Sequence, residues 1–413
     1  MKVFLRKEIF HISGNFITRI IISFVDLAAG IIIARSLGPE GKGNLYALRF
    51  WPAILVWLGG LSIGGSNTYF SAREREKIPS LLANSLIFSI VLGGIILLFS
   101  EAFVYYLFHD KRYIFLARIV LLTIPFSLFS DYAIWIFNGI KNYMVFNLLR
   151  FLPRFFYFAF VMFFFLKGKL EIQPVILSFT GVQIFMGFLT FVLVAGLVCP
   201  PSRWKKDSFL MKEQLSMGLK MHLGVFTQIG NKRADQALLI SFFDPKEIGL
   251  YSVAVNISEF LLFLSHSIGL TIVPSTAPLE RERAVRRIKK YALGSLFFLI
   301  IFSLFLYFIS PWVIKFLYGE AFLPALLPLR ILLLAHIGWS IGNIFDQGLK
   351  SLKLPLYGSI AGLISFVFNL AFLLLLLPPL KITGAAIASL IGYFVYFLAN
   401  YVFFIRTAIR SNS

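Results

Sequence analysis

The chain has 413 residues, of which 59% are hydrophobic and 14% are charged. Soluble domains carry nearer a quarter charged residues, so this composition excludes a soluble globular protein and indicates an integral membrane protein. The net charge of +20 does not indicate nucleic-acid binding, because most basic residues flank apolar runs, as they do in proteins that orient in a membrane.

Twelve apolar segments are long enough to cross a bilayer, which takes about 20 mainly apolar residues. They cover approximately residues 9–34, 45–70, 81–107, 114–138, 144–166, 174–198, 221–243, 250–274, 291–317, 321–349, 356–377 and 384–405. The longest connection separates the sixth from the seventh. We therefore predict an all-α polytopic membrane protein with an N-terminal six-helix lobe (1–199), a basic cytoplasmic linker with an amphipathic surface helix (200–220), and a C-terminal six-helix lobe (221–413).

Basic residues are distributed unevenly between the two sets of connections. The even-numbered connections and both termini hold 22 Lys and Arg residues, whereas nine lie in or beside the odd-numbered connections. Cytoplasmic loops carry the excess of basic residues, so both termini are expected to be cytoplasmic.

Matching residues indicate that the second half of the chain repeats the first. Asp26 and Asp235 are 209 residues apart, and a Gly-x-Lys turn at 139–141 recurs at the same offset at 348–350. A Pro-x-x-x-Gly turn at 39–43 recurs at 245–249, an offset of 206 residues. Six helices in each half would make the repeats parallel, and such folds place a transport site between the halves near the membrane midplane.

Charged side chains within the spans are candidates for that site, because charges at bilayer depth usually face a protein interior or a watery cavity. Guanidinium groups offer forked donors suited to phosphate or carboxylate. We predict that five cations line a cavity of positive potential and bind substrate: Arg19, Arg150, Arg154, Lys232 and Arg233. The alternative is that they form structural ion pairs, such as Arg19 with Asp26. Arg49 is interpreted as a residue that extends to the membrane surface.

Five carboxylates also lie within spans: Asp26, Asp131, Asp235, Glu259 and Asp346. They could bind a coupling H⁺ or Na⁺, or they could neutralise neighbouring cations. No other cofactor is expected, and the five histidines show no metal-ligand spacing. The glycine-rich residues 38–43 lie between two spans rather than between a strand and a helix, so they do not indicate a nucleotide site. With no catalytic residues recognised and short external connections, a transporter is favoured over a membrane enzyme such as a glycosyl polymerase.

Several short motifs in a fixed order resemble the oligosaccharide-lipid flippases of polysaccharide biosynthesis (the Wzx-like family). They are ARSLGPEGKG at 34–43, DQALLI at 235–240, IGLYSVA at 248–254, LYGEAF at 317–322 and ITGAAIA at 382–388. That family belongs to the MOP superfamily, which includes the multidrug and toxin extruders (MATE) and the lipid II flippases.

The resemblance implies twelve helices in two pseudo-symmetric lobes, a V-shaped MATE-like architecture and alternating access. It further implies a flippase of the cytoplasmic membrane that carries a polyprenyl-diphosphate-linked oligosaccharide for O-antigen, exopolysaccharide or a similar polymer. The expected partners are membrane lipids, a polysaccharide polymerase and chain-length proteins. The cationic lumen described for the family would fall on Arg19, Arg154, Lys232 and Arg233, together with Arg150 and Arg118. One alternative is an ion-coupled exporter of small cationic drugs on the same fold, which predicts an acidic cavity; another is a non-transporting scaffold.

Overall fold

A computed structural model describes the backbone of residues 2–108 and 110–409, and side chains from Ile17 onward except at 109, 263, 264, 266, 267, 270, 274 and 408–413. The described residues form helices and no strand. The α-helices are α1 (Lys2–Gly59), α2 (Ile63–Arg73), α3 (Ile78–Leu107), α4 (Lys111–Leu121), α5 (Ile124–Gly139), α6 (Tyr143–Leu166), α7 (Ile172–Leu197), α8 (Ser208–Phe242), α9 (Pro245–Ser258), α10 (Phe260–Thr276), α11 (Arg281–Leu317), α12 (Leu326–Ser351) and α13 (Pro355–Ile409). Short 3₁₀ helices occupy Arg75–Lys77, Pro201–Arg203 and Glu320–Ala325.

The twelve predicted spans are all helical, but their boundaries do not coincide with those of the thirteen helices. Two helices, α1 and α13, each continue through a kink from one span into the next, at Gly38 (φ 67°) and Lys381 (φ 49°). Three spans are each divided between consecutive helices: α1 with α2, α4 with α5, and α9 with α10. At the α4–α5 break, Pro125 lies in the first turn of α5, where its missing N–H costs least.

Eight helical stretches in the described part of the chain are long and apolar enough to cross a membrane. Two of them, Ile17–Gly59 and Pro355–Thr407, include the kinked helices. The second holds two predicted spans, and the first holds most of one span and the beginning of the next. The eight stretches do not include α8, which carries Lys232, Arg233 and Asp235 in its second half. Among the helices of 30 residues or more that the structure describes, α8 is thus unusually polar.

The chain divides into two compact units. Unit 1 consists of Met1–Gly38 and Asn44–Leu223, and unit 2 of Pro39–Gly43 and Gly224–Ser413. The division falls inside α8, so residues 200–220 pack as part of unit 1, whereas we predicted a separate linker with a helix on the membrane surface. The reason is a buried amide contact, in which Gln214 donates to Asn67 Oδ1 at 2.7 Å and accepts from Asn84 Nδ2 at 2.8 Å. All three side chains are fully buried.

Unit 2 brings the two Pro-x-x-x-Gly motifs together. A Cβ added to Gly43 would overlap the carbonyl oxygen of Pro245, and one added to Gly249 would overlap the carbonyl oxygen of Pro39. Each glycine therefore lies directly against the backbone of the other motif. Such close approach of two backbones requires residues without a side chain.

The repeat is visible in backbone geometry, although one pair of residues was aligned wrongly. Lys141 and Lys353 both have φ 63° in the turn that follows α5 and α12, respectively. The next residue in each turn donates to a carbonyl five residues earlier, Asn142 to Phe137 and Leu354 to Leu349, at 2.9 Å in both cases. The equivalent turns are therefore 212 residues apart. The Gly-x-Lys match at 209 was misleading because Gly348 and Lys350 lie inside α12.

Candidate functional site

In unit 1, two charged faces predicted from the sequence lie against each other. Arg19 and Asp26 are two turns apart on α1, and Arg150 and Arg154 are one turn apart on α6, so each pair shares a helix face. The Nε atom of Arg154 lies 3.6 Å from Oδ2 of Asp26. Both side chains remain accessible, with exposed fractions of 42% and 43%. This contact joins α1 to α6 through a half-exposed ion pair.

Arg150 lies within electrostatic range of both Arg19 and Arg154. Its guanidinium is centred 5.1 Å from the ring of Phe146, one turn earlier on α6. Arg19 is exposed. Three of the five predicted cations are therefore neighbours within unit 1.

Arg49 belongs to the same group, which corrects the prediction that it extends to the membrane surface. Its guanidinium lies over the rings of Tyr157 and Phe179, 4.3 and 4.6 Å from their centres. Nη1 also donates to the Tyr157 hydroxyl at 2.9 Å. Tyr157 is buried and interacts electrostatically with Arg49, Asp26 and Arg154. In the sequence, the one indication of a partner for Arg49 on α6 was Tyr157, which lies a turn after Arg154 on the charged face of that helix.

We call Arg19, Arg49, Arg150 and Arg154 the arginine cluster. Guanidinium groups stay protonated, so the cluster has four positive charges. Among the residues that the structure describes, Asp26 is the one carboxylate within ion-pair distance of it. A net charge of about three positive units on a half-exposed surface of a membrane protein is stable only where water or an anionic ligand compensates it. Forked donors at this density are suited to a diphosphate.

Unit 2 contains the other two predicted cations in a different environment. Nη1 of Arg233 lies 3.0 Å from Oε1 of Glu259 and 3.1 Å from Oε1 of Gln236. The ammonium of Lys232 lies 4.7 Å from the ring centre of Trp339. Arg233 is thus neutralised by a carboxylate, which is the structural alternative that the sequence left open. This group has less excess positive charge than the arginine cluster.

The carboxylates predicted as coupling groups have different environments. Asp235 is buried, and its Oδ2 accepts hydrogen bonds from the hydroxyls of Tyr251 at 2.5 Å and Ser389 at 3.3 Å. Asp346 is buried and lies 2.7 Å from the ammonium of Lys350. Asp131 is exposed on α5 and is hydrogen-bonded to Trp135. The Oδ1 of Asp235 also accepts hydrogen bonds from the backbone and side-chain amides of Gln236. Asp235 is therefore hydrogen-bonded by neutral donors, whereas Asp26, Glu259 and Asp346 contact cations.

Replacing Tyr251 by phenylalanine is expected to destabilise the protein. The change removes a donor from a buried carboxylate at constant shape, and such a loss costs about 1–3 kcal/mol. Thermal unfolding of the purified protein in detergent measures the effect. Tyr401→Phe is the matched control, because that tyrosine lies on α13 with 41% of its surface exposed. Equal melting temperatures for the two variants would contradict a stabilising role for the Tyr251–Asp235 bond.

Comparison with known proteins identifies the family. Residues 4–279 match the family model described as "Polysaccharide biosynthesis protein". No curated protein sequence matches the chain. An inward-facing multidrug resistance MATE family transporter of the MOP superfamily superposes with a TM-score of 0.79 at 16% identity, covering 96% of this chain and 98% of its own.

Two further solved structures have the same fold. Lipid II flippase MurJ, in an inward closed conformation, gives a TM-score of 0.75 at 18% identity and covers 96% of this chain and 90% of its own. A MOP superfamily transporter from Pyrococcus furiosus gives a TM-score of 0.66 at 15% identity and covers 98% of this chain and 96% of its own. At these identities the likeness shows the fold, which confirms the predicted MATE-like helical architecture. The chain belongs to the polysaccharide biosynthesis protein family and has the fold of the MOP superfamily transporters.

Proposed function

We propose that this protein is a flippase, not an enzyme, that moves a polyprenyl-diphosphate-linked oligosaccharide across the cytoplasmic membrane by alternating access. The oligosaccharide would be a repeat unit of a cell-surface polysaccharide such as O-antigen or exopolysaccharide. Both termini would lie on the cytoplasmic side, as the distribution of basic residues indicates. Membership of a polysaccharide biosynthesis family supports the substrate class, and the MOP fold supports transport.

The arginine cluster is the observation that carries the proposal. The substrate has a diphosphate at the junction between its lipid and its sugars, and this anionic, hydrated group must cross about 30 Å of hydrocarbon. Guanidinium groups that are already fixed in the protein replace the water that solvates the diphosphate. The polyprenyl tail is apolar and remains in the lipid. The arginine cluster would thus bind the diphosphate, which is the part of the substrate that is most costly to move through hydrocarbon.

The same observation disfavours an exporter of small cationic drugs. Such a substrate requires an acidic site, whereas the cluster carries four guanidinium groups, and its contacting carboxylate, Asp26, is already paired with Arg154. Transport is proposed to be driven by an H⁺ or Na⁺ gradient. Asp235 is the candidate coupling group because its hydrogen-bond donors are neutral: the hydroxyls of Tyr251 and Ser389 and the amides of Gln236. Collapsing each gradient separately in vesicles tests this part of the proposal.

Deletion of the gene tests the proposed function. We expect the lipid-linked oligosaccharide to accumulate on the cytoplasmic leaflet and polymer export to stop, with both effects reversed by a plasmid copy. Treatment of spheroplasts with a membrane-impermeant glycosidase locates the oligosaccharide, since material on the cytoplasmic leaflet is protected. Accumulation on the outer leaflet would indicate a defect in polymerisation instead. Normal polymer export combined with altered drug resistance would favour the exporter.

A further inference from the structure

Unit 1 contains an apolar cavity of about 190 Å³ between α1, α3 and α4. Its lining includes Trp51, Phe99, Phe103 and Ala117. The one hydroxyl in the lining belongs to Ser100 and is satisfied by the Ile96 carbonyl at 2.6 Å. A cavity of 150 Å³ lined by apolar side chains stays dry and holds benzene. This cavity is therefore large enough for a segment of hydrocarbon chain.

The cavity opens to the outside of the helices rather than into a sealed core. Phe99 and Phe103, on α3, form part of its lining with 71% and 59% of their surfaces exposed. In a membrane-spanning chain, exposed phenylalanines on successive turns of an apolar helix face lipid. A lipid chain can therefore enter the cavity from the bilayer.

A charged pair lies beside the cavity on two of its three helices, α3 and α4. Arg118 Nε donates to Oε1 of Glu101 at 2.7 Å, and Nη2 donates to the same oxygen and to the Tyr105 hydroxyl. The two charged side chains are 44% and 46% exposed. Glu101 directly follows the lining residue Ser100, and Arg118 directly follows Ala117. The surface around the cavity mouth thus has an apolar part, the cavity lining, and a dipolar part, the ion pair one residue further along each helix.

The depth of the pair fits a lipid head group. The 30 residues of α3 extend about 45 Å, which exceeds the hydrocarbon thickness of about 30 Å. Glu101 lies six residues, about 9 Å, before the end of α3. If the middle of α3 lies at the membrane midplane, this carboxylate is near the boundary between hydrocarbon and head groups. The α3 residues that line the cavity, from Ile95 to Leu107, lie on both sides of that level.

We propose that this surface binds a phospholipid whose head group carries a primary ammonium, of the phosphoethanolamine class. One acyl chain occupies the cavity, the phosphate contacts Arg118 and the Tyr105 hydroxyl, and the ammonium contacts Glu101. An anionic head group without an amine would meet repulsion from Glu101. A trimethylated ammonium has no N–H to donate to the carboxylate. The site is independent of the proposed function, because the transported substrate has no ammonium at its lipid junction.

Lipid binding to the purified, delipidated full-length protein tests the proposal by native mass spectrometry. Phosphatidylethanolamine, phosphatidylcholine and phosphatidylglycerol with identical acyl chains are titrated separately. We expect phosphatidylethanolamine to bind about tenfold more tightly than the other two, the ratio that one charge-assisted hydrogen bond provides. Equal binding of the three lipids would overturn the proposal.

Two variants separate the head-group contact from the chain contact. Glu101→Gln should remove the preference for the ethanolamine lipid. Ala117→Phe should fill the cavity and weaken the binding of all three lipids. Ala102→Phe is the control for added bulk, because Ala102 is exposed on α3 and does not line the cavity. If Ala117→Phe fails to fold, Glu101→Gln decides the question. An unchanged lipid preference in Glu101→Gln would contradict the assigned ammonium contact.

Discussion

Replacing Arg154 by alanine is expected to reduce polymer export at least tenfold without changing the amount of protein in the membrane. In the proposed mechanism this change removes a charge-assisted contact to the diphosphate, which contributes about 1.5–3 kcal/mol, or roughly 10- to 150-fold in binding. Arg150→Ala should act in the same direction. The measurement is export in a strain that lacks the chromosomal gene, with the protein level in isolated membranes determined in parallel.

Conservative replacements separate charge from geometry. Arg154→Lys retains the positive charge but not the forked donors, so we expect partial export. Arg283→Ala is the matched control, because Arg283 is an exposed arginine that also contacts one carboxylate, Glu280, at 3.4 Å. Its loss should leave export unchanged. Normal export by both Arg150→Ala and Arg154→Ala at normal protein level would rule out the arginine cluster as the substrate site. Loss of the protein from the membrane would instead assign the cluster a structural role.

Replacing Gly249 by valine is expected to have the largest effect on folding. The first side-chain atom would overlap the carbonyl oxygen of Pro39. Because the groups on both sides of this contact belong to the backbone, no flexible side chain can move away to relieve the overlap. Overpacking costs typically 1–3 kcal/mol, and we expect about 3 kcal/mol here because the obstructing group is backbone. Gly43→Val should behave alike, because its obstructing group is the Pro245 carbonyl.

The yield of monodisperse protein on size-exclusion chromatography, together with the melting temperature, measures this effect. Gly294→Val is the control, because Gly294 lies within helix α11 of the same unit and its added side chain would meet open space. A melting temperature for Gly249→Val within experimental error of that of Gly294→Val would show that the two motifs can separate without cost.

The class of protein and the number of spans could be predicted from the amino-acid sequence. A bilayer requires about 20 apolar residues per crossing, so the length of each apolar run is enough to locate a helix, and all twelve predicted spans are helical. Periodicity also placed Arg19 with Asp26 and Arg150 with Arg154 on shared faces. The short motifs at 34–43 and 235–254 identified the family, which the match over residues 4–279 confirmed.

The helix faces that contact each other could be identified only once the packing of the helices was known. Arg49 precedes Tyr157 by 108 residues, and no local pattern relates a cation on α1 to an aromatic ring on α6. The ion-pair partners could not be predicted from the sequence either. Spacing suggested pairs within one helix, whereas Asp26 contacts Arg154 and Arg233 contacts Glu259, each on another helix or beyond its end. The polar stretch at 208–220 resembled a surface helix until Gln214 was found buried against Asn67 and Asn84. The physical reason is that helix periodicity specifies the direction of a side chain relative to its own axis, whereas a partner is specified by how the helices pack.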